Sequence, residues 1–199
     1  MEEVITKELI QKLIDIKGES RGASFKADGD FIVKEKGEEG LIKLEERLAE
    51  LGHPIKYKKI NATDFYSLGL RGIELLVIKE LFNFTKEDFA RMGAFQTKIS
   101  LILKLFMKFF VSLDVLSKKA PEMWRKYYTT GDLEVTEFNK EEKKGILSVK
   151  NFALHPFHCQ LLEGYFGNVI KMVVGTPTVC EEKKCTFRGD EVHEFHVKW

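Results

Sequence analysis

The chain has 199 residues, of which 44% are apolar and 12% aromatic, so it can bury a substantial core and wholesale disorder is excluded. The 32 basic and 31 acidic residues leave a net charge near +1, which argues against nucleic-acid binding through bulk electrostatics. Three cysteines do not suit a secreted disulfide scaffold, and the acidic N-terminus does not resemble a secretion signal. We therefore expect a cytoplasmic protein.

The N-terminal part is predicted to be mainly helical. Helical spacing of apolar residues predicts helices over residues 4–16 and 41–51. Two short strands are predicted as well. One covers residues 31–33, an apolar run between glycines, and the other covers residues 55–60, where polar and apolar residues alternate.

The middle third combines helical patterning with many aromatic residues. Helices are predicted over residues 64–82 and from a capping box at Thr85 onwards. A further helix over residues 99–116 is apolar on most faces. Its lysines and one aspartate make it a poor membrane span, so we expect none.

After residue 128 the pattern changes to period two. Strands over residues 133–138 and 146–150, joined by a charged turn, predict a hairpin. A long helix is then predicted over Pro156–Val174, stopped by Gly175, with further strands near 178–179 and over 191–199. The predicted fold is α+β, with N-terminal helices packed with a C-terminal antiparallel sheet and one long helix. We interpret residues 1–199 as one domain with a helical part, 1–128, and a sheet part, 129–199.

The cysteines are the first chemical signal, because all three lie in the last fifth of the chain. Cys159 falls on the apolar face of the long helix, and period two turns His193 towards the interior. Together with Glu182 and Cys185 they are a reasonable tetrahedral zinc set. Two alternatives remain: Cys159 and His193 as ordinary core residues, or a disulfide between Cys180 and Cys185, which a reducing compartment disfavours.

These residues also carry a family resemblance, which covers the last third of the chain. The sequence resembles the 4-vinyl reductase domain in the run Cys159-Gln-Leu-Leu-Glu-Gly164-Tyr-Phe-Gly167 and in Glu182-x-x-Cys185-x-x-x-Gly189-Asp190-x-x-His193. The resemblance implies a structural zinc ion held by Cys159, Glu182, Cys185 and His193. The histidine stands where the family usually has a cysteine.

Two nearby residues are excluded from this ligand set. Cys180 has no counterpart in the family pattern. His196 falls on the opposite face of the last strand from His193, because side chains alternate along a strand.

The resemblance further implies a small hydrophobic or aromatic ligand, bound in an apolar pocket of the middle third. The alternative is that the aromatic residues there are simply core. The candidate pocket residues are Phe106, Phe109, Phe110, Trp124 and Tyr128. The predicted function is therefore a ligand-binding sensor domain with a zinc site. No catalytic constellation is found, so we do not expect an enzyme.

Two alternative functions follow from architectures that resemble this family. Haem nitric-oxide-binding domains are similar in architecture but carry a Tyr-x-Ser-x-Arg motif that this sequence lacks, so haem is not expected. His155 and His158 are interpreted as helix-entry residues. The vesicle-tethering TRAPP subunits are also similar and assemble through helices, which suggests a homodimer and an interaction module. A sensor without an effector domain would also need a signalling partner protein.

Overall fold

The computed structural model describes residues 4–99 and 112–199. The chain divides into two compact units, Met1–Thr85 and Lys86–Trp199. Helices and antiparallel sheets make up the described residues, which confirms the predicted α+β class. The interpretation of residues 1–199 as one domain, with parts 1–128 and 129–199, stays a prediction.

The first unit is helical with a small two-stranded sheet. Its elements in chain order are α1 (Lys7–Ile14), β1 (Glu19–Arg21), α2 (Gly22–Glu50), β2 (Phe65–Ser67) and α3 (Leu68–Phe82). Strands β1 and β2 pair antiparallel. Helix α2 is interrupted at Gly37, whose φ of 74° lies in the left-handed region that favours glycine. The unit's core is formed by the apolar faces of α2 and α3, with Phe25, Ile32, Leu44 and Ile73 fully buried.

The predictions of two strands in this unit, over residues 31–33 and 55–60, are wrong. Residues 31–33 lie inside α2, where Phe31 and Ile32 point into the core. Residues 55–60 form a loop with a short 3₁₀ turn, Tyr57–Lys59. A three-residue apolar run does not distinguish a strand from one face of a helix, and the helical period of the residues around it decides the outcome.

A buried charged network lies inside the first unit. Arg71 of α3 bonds to Asp28 and Glu74, and all three side chains are fully buried. Tyr57 donates its hydroxyl to Glu74 Oε1 at 2.8 Å. Burial, followed by the nearby charge of Asp28, raises the pKa of Glu74 well above its usual value.

The second unit contains a four-stranded antiparallel sheet, three helices among its described residues, and one short 3₁₀ turn. Its elements are α4 (Lys86–Ile99), α5 (Leu113–Tyr127), β3 (Asp132–Asn139), β4 (Lys144–Lys150), α6 (Pro156–Val174), β5 (Val179–Lys184) and β6 (His193–Lys198). The strand order is β3-β4-β6-β5. The predicted hairpin and the helix from Pro156 to Val174 are confirmed, and Gly175 ends that helix with a φ of 73°.

Helices α4 and α6 pack at very short range because glycines lie at their contact. A Cβ atom on Gly164 would fall 1.8 Å from the carbonyl oxygen of Ala90, and one on Gly93 would fall 1.9 Å from that of Leu161. Asn168 adds a polar contact by donating to Thr97 Oγ1 at 2.5 Å. This close packing fixes the position of α6, which carries Cys159.

The predicted helix over residues 99–116 lies largely outside the described residues. Helix α4 is described as far as Ile99, and Ser112 caps α5 by accepting a hydrogen bond from the Val115 amide. Within residues 4–99 and 112–199, no helix is long and apolar enough to cross a membrane.

Candidate functional site

Four side chains from three parts of the second unit converge at one point. Cys159, Glu182, Cys185 and His193 each place one potential metal-ligand atom within 4.8 Å of the other three. Cys159, Cys185 and His193 are buried and Glu182 is half-buried. We call these four residues the ligand cluster. They are the four residues that the sequence singles out.

Cys159 reaches the cluster from the first turns of α6. Pro156 occupies the start of the helix, where its missing N–H costs no hydrogen bond, and His155 caps it through a bond from the Phe157 amide. The Cys159 sulfur lies 4.0 Å from the sulfur of Cys185 and 3.5 Å from Nδ1 of His193.

Glu182 and Cys185 reach the cluster because β5 is irregular. The pairing of β5 with β6 shifts register between Glu182 and Lys184, which marks a β-bulge. The chain then enters a 3₁₀ turn that ends at Gly189, whose φ of 94° favours glycine. Asp190 accepts a hydrogen bond from the Cys185 amide at 2.7 Å, so the Gly189-Asp190 pair holds Cys185 in place.

His193 stands at the start of β6, on its buried face. Its Nδ1 atom lies 2.8 Å from Glu182 Oε1, while Nε2 lies 2.9 Å from the backbone oxygen of Phe152 and 2.9 Å from Thr186 Oγ1. A carbonyl oxygen only accepts hydrogen bonds, so Nε2 carries a proton. Nδ1 faces the Glu182 carboxylate, to which it can only donate, and it would turn its lone pair to a metal ion that displaced this hydrogen bond, as metal-binding histidines do.

Without a bound metal ion, the pKa values of the cluster's two thiols are raised. Burial, followed by the charge of Glu182, raises the pKa of Cys159 far above its usual value, and burial also raises that of Cys185. Burial alone would raise the pKa of Glu182, but hydrogen bonds from His193, Cys185 and Cys159 hold it below the usual value. A divalent cation would displace the thiol protons and remove this penalty.

The dimensions of the cluster match a tetrahedral metal site. Metal–sulfur bonds of about 2.3 Å would hold two sulfurs roughly 3.8 Å apart, close to the 4.0 Å between Cys159 and Cys185. Two sulfurs, one imidazole and one carboxylate are a competent donor set for a divalent transition metal.

Cys180 and His196 lie outside the ligand cluster. Cys180 sits on β5 with its Cβ near the backbone of Gly167, and burial raises its pKa strongly. The Nε2 atom of His196 lies 2.8 Å from Glu194 on the other face of β6. The predicted alternation of side chains along β6 is thus confirmed.

Glu163 is a supporting residue that the sequence analysis missed. It stands one helical turn after Cys159 and is almost fully buried. Its Oε1 accepts a hydrogen bond from the Glu182 amide at 2.6 Å, and its Oε2 lies 3.2 Å from Lys86. A carboxylate four residues after a candidate ligand, on the same helix face, was the available signal.

The predicted ligand-pocket residues are only partly described. Phe106, Phe109 and Phe110 lie outside the described residues. Trp124 and Tyr128 are both buried, with ring centres 4.5 Å apart. Their polar ends are engaged, because Trp124 donates to the Thr130 carbonyl and Tyr128 Oη lies 2.8 Å from Nε2 of His158.

Comparison with solved structures identifies the architecture. An H-NOX protein from S. oneidensis in the Fe(II)NO ligation state matches with a TM-score of 0.67 at 13% identity, over 89% of this chain and 98% of that one. The chain has the H-NOX fold. The Fe(II) unliganded H-NOX protein from K. algicida matches with a TM-score of 0.64 at 9% identity, over 89% and 95% of the two chains. A third structure comes from work on how protein-induced porphyrin distortion modulates haem redox potential. It matches with a TM-score of 0.57 at 12% identity, over 90% of this chain and 99% of that one. No protein-family model and no curated protein matches the sequence.

These findings correct two sequence-based predictions. The identification as a 4-vinyl reductase domain is wrong, because no family model matches and the structural neighbours have the H-NOX fold. The expectation against haem is wrong as well, since that fold is described with iron ligation states and haem in the neighbours. None of the comparisons supports the prediction of zinc.

Proposed function

We propose that this chain is a sensor domain that binds a small ligand on the H-NOX fold. The observation that carries the proposal is the match to H-NOX structures over 89% of the chain and nearly all of the neighbours' length. The neighbours are described in NO-bound and unliganded states, which is the behaviour of ligand-binding domains. Assembly as a homodimer and a signalling partner protein remain part of this proposal.

Gas binding through haem is the form of sensing that the neighbours favour. It requires a residue of this chain that could bind the haem iron. All five histidines lie in the described residues. His158 is the fully buried one outside the ligand cluster, and it lies among the rings of Tyr128 and Phe152. Bound haem would supply an iron centre for a gas, and His158 is the first candidate to hold it.

The fit at His158 is incomplete in this structure. Its Nε2 atom is 2.8 Å from Tyr128 Oη, and the ring is only 1% exposed. An iron could approach Nε2 only after the Tyr128 side chain had moved.

A metal ion in the ligand cluster is the second candidate for the functional centre. The observation that favours it is the convergence of four ligand atoms within 4.8 Å, with the outer nitrogen of His193 already fixed by Phe152. Such an ion would tie α6, the end of β5 and the start of β6 together. A change in the ligands of the metal would then shift residues of all three elements.

The aromatic pair Trp124 and Tyr128 remains the proposed contact site for an apolar ligand. It adjoins Phe152, whose ring lies 5.0 Å from Trp124 and 5.1 Å from Tyr128. The backbone oxygen of Phe152 in turn bonds His193 of the ligand cluster. A ligand that displaced Phe152 would therefore disturb the support of the cluster.

Titration with haem tests the gas-binding form of this proposal. Purified protein is mixed with haem and then exposed to CO or NO, and the absorption spectrum is recorded for wild type, His158→Ala and His53→Ala. A haem spectrum that shifts with gas and is lost only in His158→Ala supports it. Failure of wild type to bind haem, or binding unaffected by His158→Ala, contradicts the assignment of His158. Elemental analysis of the same preparation tests the metal centre separately.

A further inference from the structure

A pocket of about 270 Å³ opens beside the ligand cluster. Glu182 and Cys185 form part of its wall, together with Lys86, Phe187 and Arg188. Access to the cluster from this pocket is therefore through Glu182 and Cys185. A centre with four protein ligands has no open position, so an incoming group could bind this metal only by replacing one of them.

Glu182 is the most replaceable of the four donors. It is the one hard oxygen donor beside two soft sulfurs and a borderline imidazole, and its side chain is 7% exposed, against 2% for that of His193. Its Oε1 faces His193, while its Oε2 lies 3.5 Å from Arg188, on the pocket side. Arg188 also donates to the Glu182 backbone oxygen at 3.2 Å. A carboxylate that left the metal would thus remain paired with a cation.

The pocket is also suited to an anionic group. Lys86 and Arg188 are each more than half exposed, and both have more N–H donors than their contacts with Glu163 and Glu182 use. Phe187 is 42% exposed and gives the pocket an apolar surface. A small molecule with a soft donor atom and a carboxylate matches these walls.

We propose that the pocket admits a small thiol that carries a carboxylate, and that its sulfur replaces Glu182 as the fourth ligand of the metal. This rests on the metal centre proposed above. In the exchange the S–H proton passes to water, one metal–sulfur bond forms and the metal–oxygen bond to Glu182 breaks. Nothing is oxidised or reduced. One monoanionic donor replaces another, so the charge of the centre is unchanged.

The test uses the full chain loaded with cobalt(II), whose thiolate charge-transfer absorption reports the number of bound sulfurs. Mercaptoacetate is titrated into wild type, Arg188→Ala and the control Arg125→Ala, which alters an exposed arginine of α5. Acetate, which lacks the sulfur, and 2-mercaptoethanol, which lacks the carboxylate, are titrated in parallel. Protein-bound cobalt is measured after each titration.

We expect the thiolate absorption to rise with mercaptoacetate until it saturates. Its intensity should change from the value for two bound sulfurs to the value for three, while the amount of protein-bound cobalt stays constant. Acetate should have no effect, and 2-mercaptoethanol should bind roughly tenfold more weakly, as should mercaptoacetate to Arg188→Ala. An unchanged spectrum in cobalt-loaded wild type, or loss of the cobalt to the thiol, would overturn the exchange but leave the metal centre standing. Equal binding to Arg188→Ala also contradicts it. If wild type shows no thiolate absorption with cobalt, the metal centre itself is wrong.

Discussion

Nε2 of His193 lies 2.9 Å from the backbone oxygen of Phe152. This contact fixes a proton on Nε2, because a carbonyl oxygen can only accept. Nδ1, which lies 3.5 Å from the sulfur of Cys159 and 2.8 Å from Glu182 Oε1, is then the nitrogen that would bind a metal ion. An outer hydrogen bond of this kind is the usual support of a metal-binding histidine.

Removal of either cysteine should abolish tight metal binding. We expect Cys159→Ser and Cys185→Ser to lower the metal affinity by more than roughly 100-fold, since even changes to outer-shell groups cost 10- to 100-fold. The melting temperature should fall with it, because the ion links three elements of the second unit. Elemental analysis and thermal unfolding with and without a chelator measure both effects.

Cys180→Ser is the matched control for these variants. Cys180 is absent from the ligand cluster, so its replacement should leave the metal content unchanged. Loss of metal in Cys180→Ser, or full metal content in Cys159→Ser, would contradict the assignment of ligands.

Thr186 should tune the site without being a ligand. Its Oγ1 lies 2.9 Å from Nε2 of His193, on the side away from the cluster. Thr186→Val removes that contact and should weaken metal binding by roughly tenfold. Competition with a chromogenic chelator measures the affinity. Thr178→Val, at the residue just before β5, should bind metal as wild type does, and an equal loss in both variants would refute a specific role for Thr186.

The glycine at the α4–α6 contact should be intolerant of any side chain. A Cβ on Gly164 would fall 1.8 Å from the backbone oxygen of Ala90, so the helices must separate. We expect Gly164→Ala to lower the free energy of unfolding by about 3 kcal/mol or more. Gly145→Ala is the control, because a Cβ there meets its nearest neighbour at an ordinary 3.5 Å. Denaturant unfolding compares the two, and equal stability would show that α4 and α6 are not in such close contact.

The buried carboxyl of Glu74 should make stability depend on pH. Its folded pKa is raised, chiefly by burial and then by Asp28, so the folded state holds a proton that the unfolded state releases above about pH 4.3. The stability from this group is fully present below that pH and is lost as pH rises towards the folded pKa. The free energy of unfolding should therefore decline as pH rises above about 4.3 in wild type.

Glu74→Gln should flatten this decline, since an amide cannot release the proton. Glu80→Gln changes an exposed carboxylate on the same helix and should keep the wild-type slope. Urea unfolding across the pH range provides the comparison. A slope that persists in Glu74→Gln would assign the pH dependence to another group.

Much of the second unit could be predicted from the sequence, because the residues that mark its helix ends and strand faces are close together in the chain. Pro156 and Gly175 mark both ends of α6, and strict alternation along β6 places His193 on the buried face. Helix and strand faces predicted that Cys159 and His193 point inward, and the motif resemblance completed the set with Glu182 and Cys185, which the structure brings together with them. Spacing could not give the bulge in β5 that turns Glu182 and Cys185 towards one point, because register depends on the partner strand.

In the first unit, the burial of charged residues could not be predicted from the sequence. Asp28, Arg71 and Glu74 are polar residues on helices, which usually face water, yet all three are fully buried. They are compatible with burial only because they bond to one another and to Tyr57. Such a network depends on residues 43 positions apart in the chain, as for Asp28 and Arg71, and no local pattern reveals it.

X-ray absorption at the edge of the metal bound to the purified protein tests the central claim most directly. We predict two sulfur neighbours at about 2.3 Å and nitrogen or oxygen neighbours near 2.0 to 2.1 Å. A first shell without sulfur, or a protein that retains no metal and takes none up from a cobalt(II) solution, would contradict it.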